Sequence, residues 1–282
     1  MHQSGDLTNL LLGLAWYGEL STDHARRLWA PADRSDFGAR AALNELQREG
    51  YASSRQWALP RSGTGPPLRQ HAMWALTPRG RELLAQHALF PPRLFLPRAR
   101  RTLPHDAMTS EVVTRLIELA RPAGLSGVYV EREVRIDPAR TRPVMDAIVI
   151  LRTGGGYDHA DLVPWTRDPL VPGERRRRYA IENDRDSEAL SVIIGKAHAY
   201  QAALTLDWQH RYGGFPIPLW VVPHARRRDA VMDAWRGAWP QGKWLITTDD
   251  DLQRDHWREH YNGTVRTRAL FERSRDDDPM TS

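Results

Sequence analysis

Three observations predict a mixed α/β chain of the α+β kind. Apolar residues recur at helical spacing through most of the first 90 positions, and a proline- and arginine-rich stretch then interrupts the pattern. Beyond it, short runs rich in valine, isoleucine and leucine alternate with helical segments. A length of 282 residues favours two domains. The expected division is 1–90, a linker over 91–104, a second domain over 105–248, and a polar extension over 249–282 that is in part disordered.

In the first domain, Leu7 to Trp16 reads as a helix, and Ser21 or Thr22 can cap a second one that runs to Trp29 before Pro31. Ser35 opens a third helix with Phe37, Ala41, Leu43 and Leu46 on its apolar face, closed by Gly50. Tyr51–Leu59 and Met73–Leu76 read as two short strands around a Gly- and Pro-rich tip. Thr77-Pro78-Arg79-Gly80 leads into a fourth helix, Arg81 to His87. In the linker, Pro91, Pro92 and Pro97 block regular structure.

The second domain opens with a helix from Asp106 to Arg121, its apolar face carried by Met108, Val112, Leu116 and Leu119. Strands follow over Val128–Ile136, Val144–Leu151 and Tyr179–Asp184, the last two separated by a long loop holding Gly154-Gly155-Gly156 and Trp165. A helix over Ser187–Leu204, a strand over Leu219–Val222, a helix over Asp229–Trp239 and a strand over Lys243–Thr247 complete the pattern.

Composition narrows the function classes. With 41% hydrophobic and 27% charged residues the chain reads as globular, and no run approaches the length of a membrane span. No signal peptide is visible, and the absence of cysteine excludes disulfides and thiolate metal sites, which fits a cytoplasmic protein. Formal charge is only +5, but the arginines clump at 98–101, 175–178 and 226–228, a pattern suited to phosphates. Chance runs in an arginine-rich chain are the alternative.

The chemistry concentrates in Tyr179-Ala180-Ile181-Glu182-Asn183-Asp184, where an apolar run ends in two carboxylates that share one strand face. Asp146 lies in a similar run, and Lys196 in the helix after it. Three acids on adjacent buried strands repel one another unless a cation or a hydrogen-bond network holds them. Asp146, Glu182 and Asp184 are therefore candidate ligands of Mg²⁺ or Mn²⁺ for phosphodiester chemistry. Only two lysines occur, Lys196 and Lys243. One kept beside acids suits a compact point charge or proton donor, the alternative being an ordinary exposed helix lysine. Glu111, on the first helix of the second domain, reads as an exposed helix-surface acid. His105, His159, His198 and His224 lack zinc-ligand spacing. Neither a Walker-type phosphate loop nor a serine–histidine arrangement is present. Trp165, Trp208 and Trp220 are base-stacking or core residues.

The first domain resembles a winged helix-turn-helix, most closely in Trp74-Ala75-Leu76-Thr77-Pro78-Arg79-Gly80-Arg81-Glu82-Leu83-Leu84. That resemblance implies a third helix in the DNA major groove, with Arg34, Arg40 and Asn44 on the helix and Arg55, Arg61 and Arg69 on the wing as contacts. The α-β-β-β-α-β order of the second domain resembles the PD-(D/E)xK nuclease core. Asp146 then matches the second-strand acid and Glu182 the third-strand acid. Asp184 stands where that family has its lysine, a role Lys196 on the following helix could take. The resemblance implies catalytic Asp146, Glu182, Asp184 and Lys196, with Glu111 on the first helix as the extra acid that some members contribute.

The whole arrangement resembles the replication-relaxation family of plasmid and mobile-element proteins. The likeness rests on Leu103-Pro104-His105-Asp106, Arg142-Pro143 with Asp146-Ala147, Glu182-Asn183-Asp184-Arg185, and Lys196 with Tyr200. It implies a double-stranded-DNA-binding accessory of replication, relaxation or mobilisation; a relaxase or replication protein is a further candidate partner, and symmetric DNA sites would call for a homodimer, although no dimerisation segment stands out. Three expectations follow. One is a magnesium-dependent endonuclease. A second is an inactive regulator or accessory that keeps the nuclease fold as a scaffold, and a third is a protein-recruiting module.

Overall fold

The computed structural model describes residues 3–29, 36–57, 71–86, 103–137, 139, 143–153 and 174–272. Arg34, Arg61, Arg69, Arg98 to Arg101, the Gly154–Gly156 loop, His159, Trp165 and the acidic tail lie outside them.

The chain opens with α1 (Gln3–Tyr17), β1 (Leu20–Ser21), α2 (Thr22–Trp29), α3 (Asp36–Arg48), β2 (Ala52–Trp57), β3 (His71–Leu76) and α4 (Pro78–Gln86). The strands form an antiparallel sheet in the order β1-β3-β2. On α3, Leu43 and Leu46 turn into the core while Arg40, Asn44 and Gln47 stay exposed. This is the consequence of apolar residues recurring at helical spacing. Gly50 ends the helix at φ +78°. Gly80 has a different cause: a Cβ there would lie 2.3 Å from Tyr51 O, so only glycine lets α4 approach the start of β2. Thr77 fastens the same corner, donating to Gly50 O at 2.6 Å and accepting from Gly80 N at 3.1 Å.

The larger sheet comes next in the chain, with α5 (Leu103–Ala120), β4 (Leu125–Arg135), β5 (Val144–Thr153), β6 (Arg176–Asn183), α6 (Leu190–Ala203), α7 (Trp208–Tyr212), β7 (Ile217–Val222), α8 (Ala225–Ala238), β8 (Trp244–Thr248), α9 (Asp249–Gln253), β9 (Trp257–Tyr261) and β10 (Thr264–Arg268). Seven strands run in the order β10-β9-β8-β7-β6-β5-β4. β4, β5 and β6 pair antiparallel, β6, β7 and β8 parallel, and β8, β9 and β10 antiparallel. Parallel strands require helical crossovers, which α6 and α8 supply. The inner strands read Ala-Ile-Val-Ile-Leu and Leu-Trp-Val-Val because both faces are covered.

Two features depart from expectation. The polar segment after Asp249 is part of the sheet through Arg268, as β9 and β10. Trp257, Glu259 and His260 are buried, and Asn262-Gly263, both at positive φ, make the two-residue turn between the strands. The two-residue β1 and the single-turn α7 are also additions, too short for a periodic signal.

The N-terminal elements pack directly on α5 and β4, and their apolar residues join one core with the large sheet. Arg27 of α2 reaches Glu118 at 2.7 and 2.8 Å and Glu111 at 2.7 Å, both on α5. His24 Nε2 lies 2.9 Å from the same Glu111 carboxylate, and Gln253 donates to its other oxygen at 3.1 Å. Glu111 is thus a junction residue. Burial works against its charge, but the hydrogen bonds and charges of His24 and Arg27 prevail and hold it well below the usual carboxylate range.

Candidate functional site

Asp146 and Glu182 meet because β5 and β6 run antiparallel with Ala147 opposite Ile181. One further step places Asp146 opposite Glu182, and side chains of facing residues share a face. Asn183, whose side chain takes the other face, donates its backbone N–H to Asp146 Oδ2 at 2.6 Å. Its side-chain amide reaches back to His105 O at 3.3 Å and Thr109 Oγ1 at 3.5 Å on α5.

Lys196 enters from α6. Its position on the inward side with Ile193, Ala197 and Tyr200 buries it, and Nζ lies 2.8 Å from Glu182 Oε2 and 3.0 Å from Glu188 Oε1. Tyr200, one turn on, donates its hydroxyl to Glu182 Oε1 at 2.7 Å. Lys196 also stands 5.3 Å from the centre of the Trp220 ring, so this tryptophan is a core residue of β7 that faces an ammonium. The exposed-lysine alternative does not describe Lys196, whose side chain is 10% exposed.

Asp184 is turned elsewhere. Arg227 of α8 donates to its Oδ2 at 2.5 Å, while its Oδ1 accepts the backbone N–H groups of Ser187 at 3.2 Å and Glu188 at 3.4 Å. The carboxylate therefore ties the turn before α6 to α8. The three acids do not make one ligand set, and among the described residues no three acidic or histidine side chains gather as a metal group.

His105 is the residue that spacing rules overlook. It sits in the first turn of α5, and its Nε2 lies 2.9 Å from Asp146 Oδ1. Zinc-ligand spacing along the chain cannot find it, because its partner is 41 residues away on a strand. The phrase Leu103-Pro104-His105-Asp106 was the available signal. Arg227, hidden in an arginine run, had none.

Charges in this pocket regulate one another. Burial opposes the ionised Asp146, but His105 beside it, then Lys196 and the Asn183 N–H, hold its carboxyl below the usual range. Burial also opposes a charged His105, and Asp146 with Asp106 reverses this and raises it. Glu182 is fully buried, and burial, with Asp146 adding to it against Lys196 and Tyr200, pushes it up to about 7. For Lys196 the desolvation penalty is outweighed by Glu182, Asp146 and Glu188, which raise it.

The remaining expected residues are scattered. Arg40 and Asn44 are exposed on α3, beside a cleft of about 330 Å³ between that helix and the β2–β3 sheet. Arg55 is half-buried and ion-paired to Glu19. Within the two described arginine runs, most members bond to the chain itself: Arg175 donates to Ala123 O, Arg176 to Glu174, Arg178 to Tyr212 O, Arg227 to Asp184 and Arg228 to Asp251. His198 is exposed, and His224 caps α8. No described helix is long and apolar enough to cross a membrane.

Fold and site together define a mixed α/β protein in which a helical, sheet-backed front half is fused to a seven-stranded sheet with an acid pocket at the ends of β5 and β6. The chain belongs to the replication-relaxation family, whose profile matches residues 14–217. Among solved structures it is similar to Bacillus subtilis PadR in complex with operator DNA. That match has 20% identity and a TM-score of 0.22, covering 41% of this chain and 73% of the other. No curated protein matches it significantly.

Proposed function

We propose that this is a DNA-binding accessory protein of plasmid or mobile-element replication, relaxation or mobilisation. On this reading residues 1–90 are a winged helix gripping double-stranded DNA, and residues 105–248 keep a PD-(D/E)xK-like core as a scaffold. The order of α1, β1, α2, α3, β2 and β3, with α3 exposing Arg40 and Asn44, supports the first part. It would act in the cytoplasm, with a relaxase or replication protein as partner, and as a homodimer on symmetric sites.

One observation carries the scaffold reading. All six carboxylate oxygens of Asp146, Glu182 and Asp184 already accept from protein donors, and each acid has its own basic side-chain partner in His105, Lys196 or Arg227. Magnesium favours a few carboxylates completed by waters. The acids as arranged do not fit such an ion.

The endonuclease reading has its own support, the meeting of Asp146, Glu182 and Lys196 at adjacent strand ends. Supercoiled DNA incubated with the protein and Mg²⁺ or Mn²⁺ separates the two. The scaffold reading expects duplex binding that falls steeply with salt, ignores chelators and leaves the DNA uncut. Nicking by the natural chain but not by Glu182→Ala would instead establish an enzyme.

A further inference from the structure

The cleft beside α3 has an unusual chemistry for a phosphate surface. Arg40, Asn44 and Gln47 line one wall from a single helix face, four and then three residues apart. Ser54 and Gln56 of β2 and Asp23 of α2 line the same cleft. Three carboxamides therefore share the cleft with one guanidinium and one carboxylate.

Phosphate contacts draw their affinity from cations. Asp23 is paired to Arg26 at 2.7 Å and to Arg27 at 3.3 Å, yet its side chain is 48% exposed, which disfavours a phosphodiester beside Asp23. Base edges differ from phosphates in presenting donors and acceptors together, and carboxamides present the same mixture. The walls are held in place as well. Gln47 donates to Ser54 Oγ at 3.3 Å, and Trp74 at the back spends its indole N–H on Thr22 at 3.1 Å.

Resting on the winged-helix reading above, we infer that this cleft reads base edges in the major groove, with Asn44 and Gln47 as specificity-determining residues and adenine as the preferred base. Adenine offers N7 as acceptor and N6–H₂ as donor, the pattern one side-chain amide satisfies in a bidentate contact. With one N–H of Gln47 engaged by Ser54, its carbonyl oxygen and second N–H have the polarity to meet that edge. Arg40, at the end of the row, supplies the sequence-independent charge.

The test uses the full chain. Duplexes are selected from a random library, and affinities are then measured by anisotropy on the selected site and on a scrambled one across a salt series. Adenine-bearing positions should be enriched. Asn44→Ala and Gln47→Ala should each lose about five- to a hundredfold on the selected site and little on the scrambled one, with unchanged salt slope. Arg40→Ala should weaken both and reduce the slope by about one. Equal losses on both sequences for the amide variants, or selected sites without adenine, would overturn the inference while leaving DNA binding intact. If the natural chain binds no duplex at any salt, the winged-helix reading falls and takes the inference with it.

Discussion

Lys196 Nζ lies 2.8 Å from Glu182 Oε2, so one buried ammonium from α6 neutralises the carboxylate at the end of β6. Tyr200 completes the contact from the next turn of the same helix. A helix and a strand are thus joined through a pair that water scarcely reaches, where removing either partner costs far more than at a surface.

Lys196→Met strands the buried Glu182 beside Asp146. The chain should lose about 3–5 kcal/mol of stability, read as a fall in the denaturant midpoint. Adding Glu182→Gln should restore part of that loss, and a double-mutant cycle measures the coupling. Strict additivity would show that the two side chains do not interact.

Glu182 sets a pH dependence. Its ordinary carboxyl value of 4.5 is pushed up to about 7 in the fold. Between those values the folded chain binds a proton that the unfolded chain has released, so this group's contribution falls as pH rises through the window. Asp146, held low, acts with the opposite sign, and its contribution is lost as pH drops below the ordinary carboxylate range. Glu182→Gln should therefore flatten the decline in stability between about pH 5 and pH 7, measured by denaturation at each pH.

Arg227→Leu leaves Asp184 buried without its cation and frees the turn before α6 from α8. A loss of about 3 kcal/mol or more is expected. Amide exchange should report where it acts, with protection lost first at Ser187 and Glu188, whose N–H groups bond the same carboxylate. Uniform loss of protection across the sheet would point to a general packing defect.

At the junction, Arg27→Ala removes the hydrogen bonds to Glu118 and Glu111. These groups are partly solvated, so screening holds the cost to about 1–2 kcal/mol. Limited proteolysis should then separate the N-terminal elements from the large sheet sooner than in the natural chain. Unchanged cleavage would mean that the shared apolar core alone secures the junction.

Much of this architecture could be read from the sequence because its elements are long and periodic. The helix expected from Asp106 spans Leu103–Ala120, and the strand expected over Val144–Leu151 spans Val144–Thr153. Asp146, Glu182 and Lys196 stood out because an acid ending an apolar run is costly and lysine is scarce. What escaped was set by tertiary placement. Asp184 was expected to share a strand face with Glu182, but β6 ends at Asn183 and Arg227 claims the carboxylate, and no local pattern announces a partner 43 residues away. His105 was visible only as part of a phrase, since its role is defined by β5. The Asn262-Gly263 turn was legible in principle, but the charged residues around it disguised a strand pair whose inward positions are few.

α5 works as a stiff shaft. It has 18 residues, about 27 Å of helix. His105 near one end touches the acid pocket, while Glu111 and Glu118 farther along are clasped by α2. His105 and the two glutamates stand on one continuous helix, so α2 and the Asp146 carboxylate are joined through α5 with no loop between them.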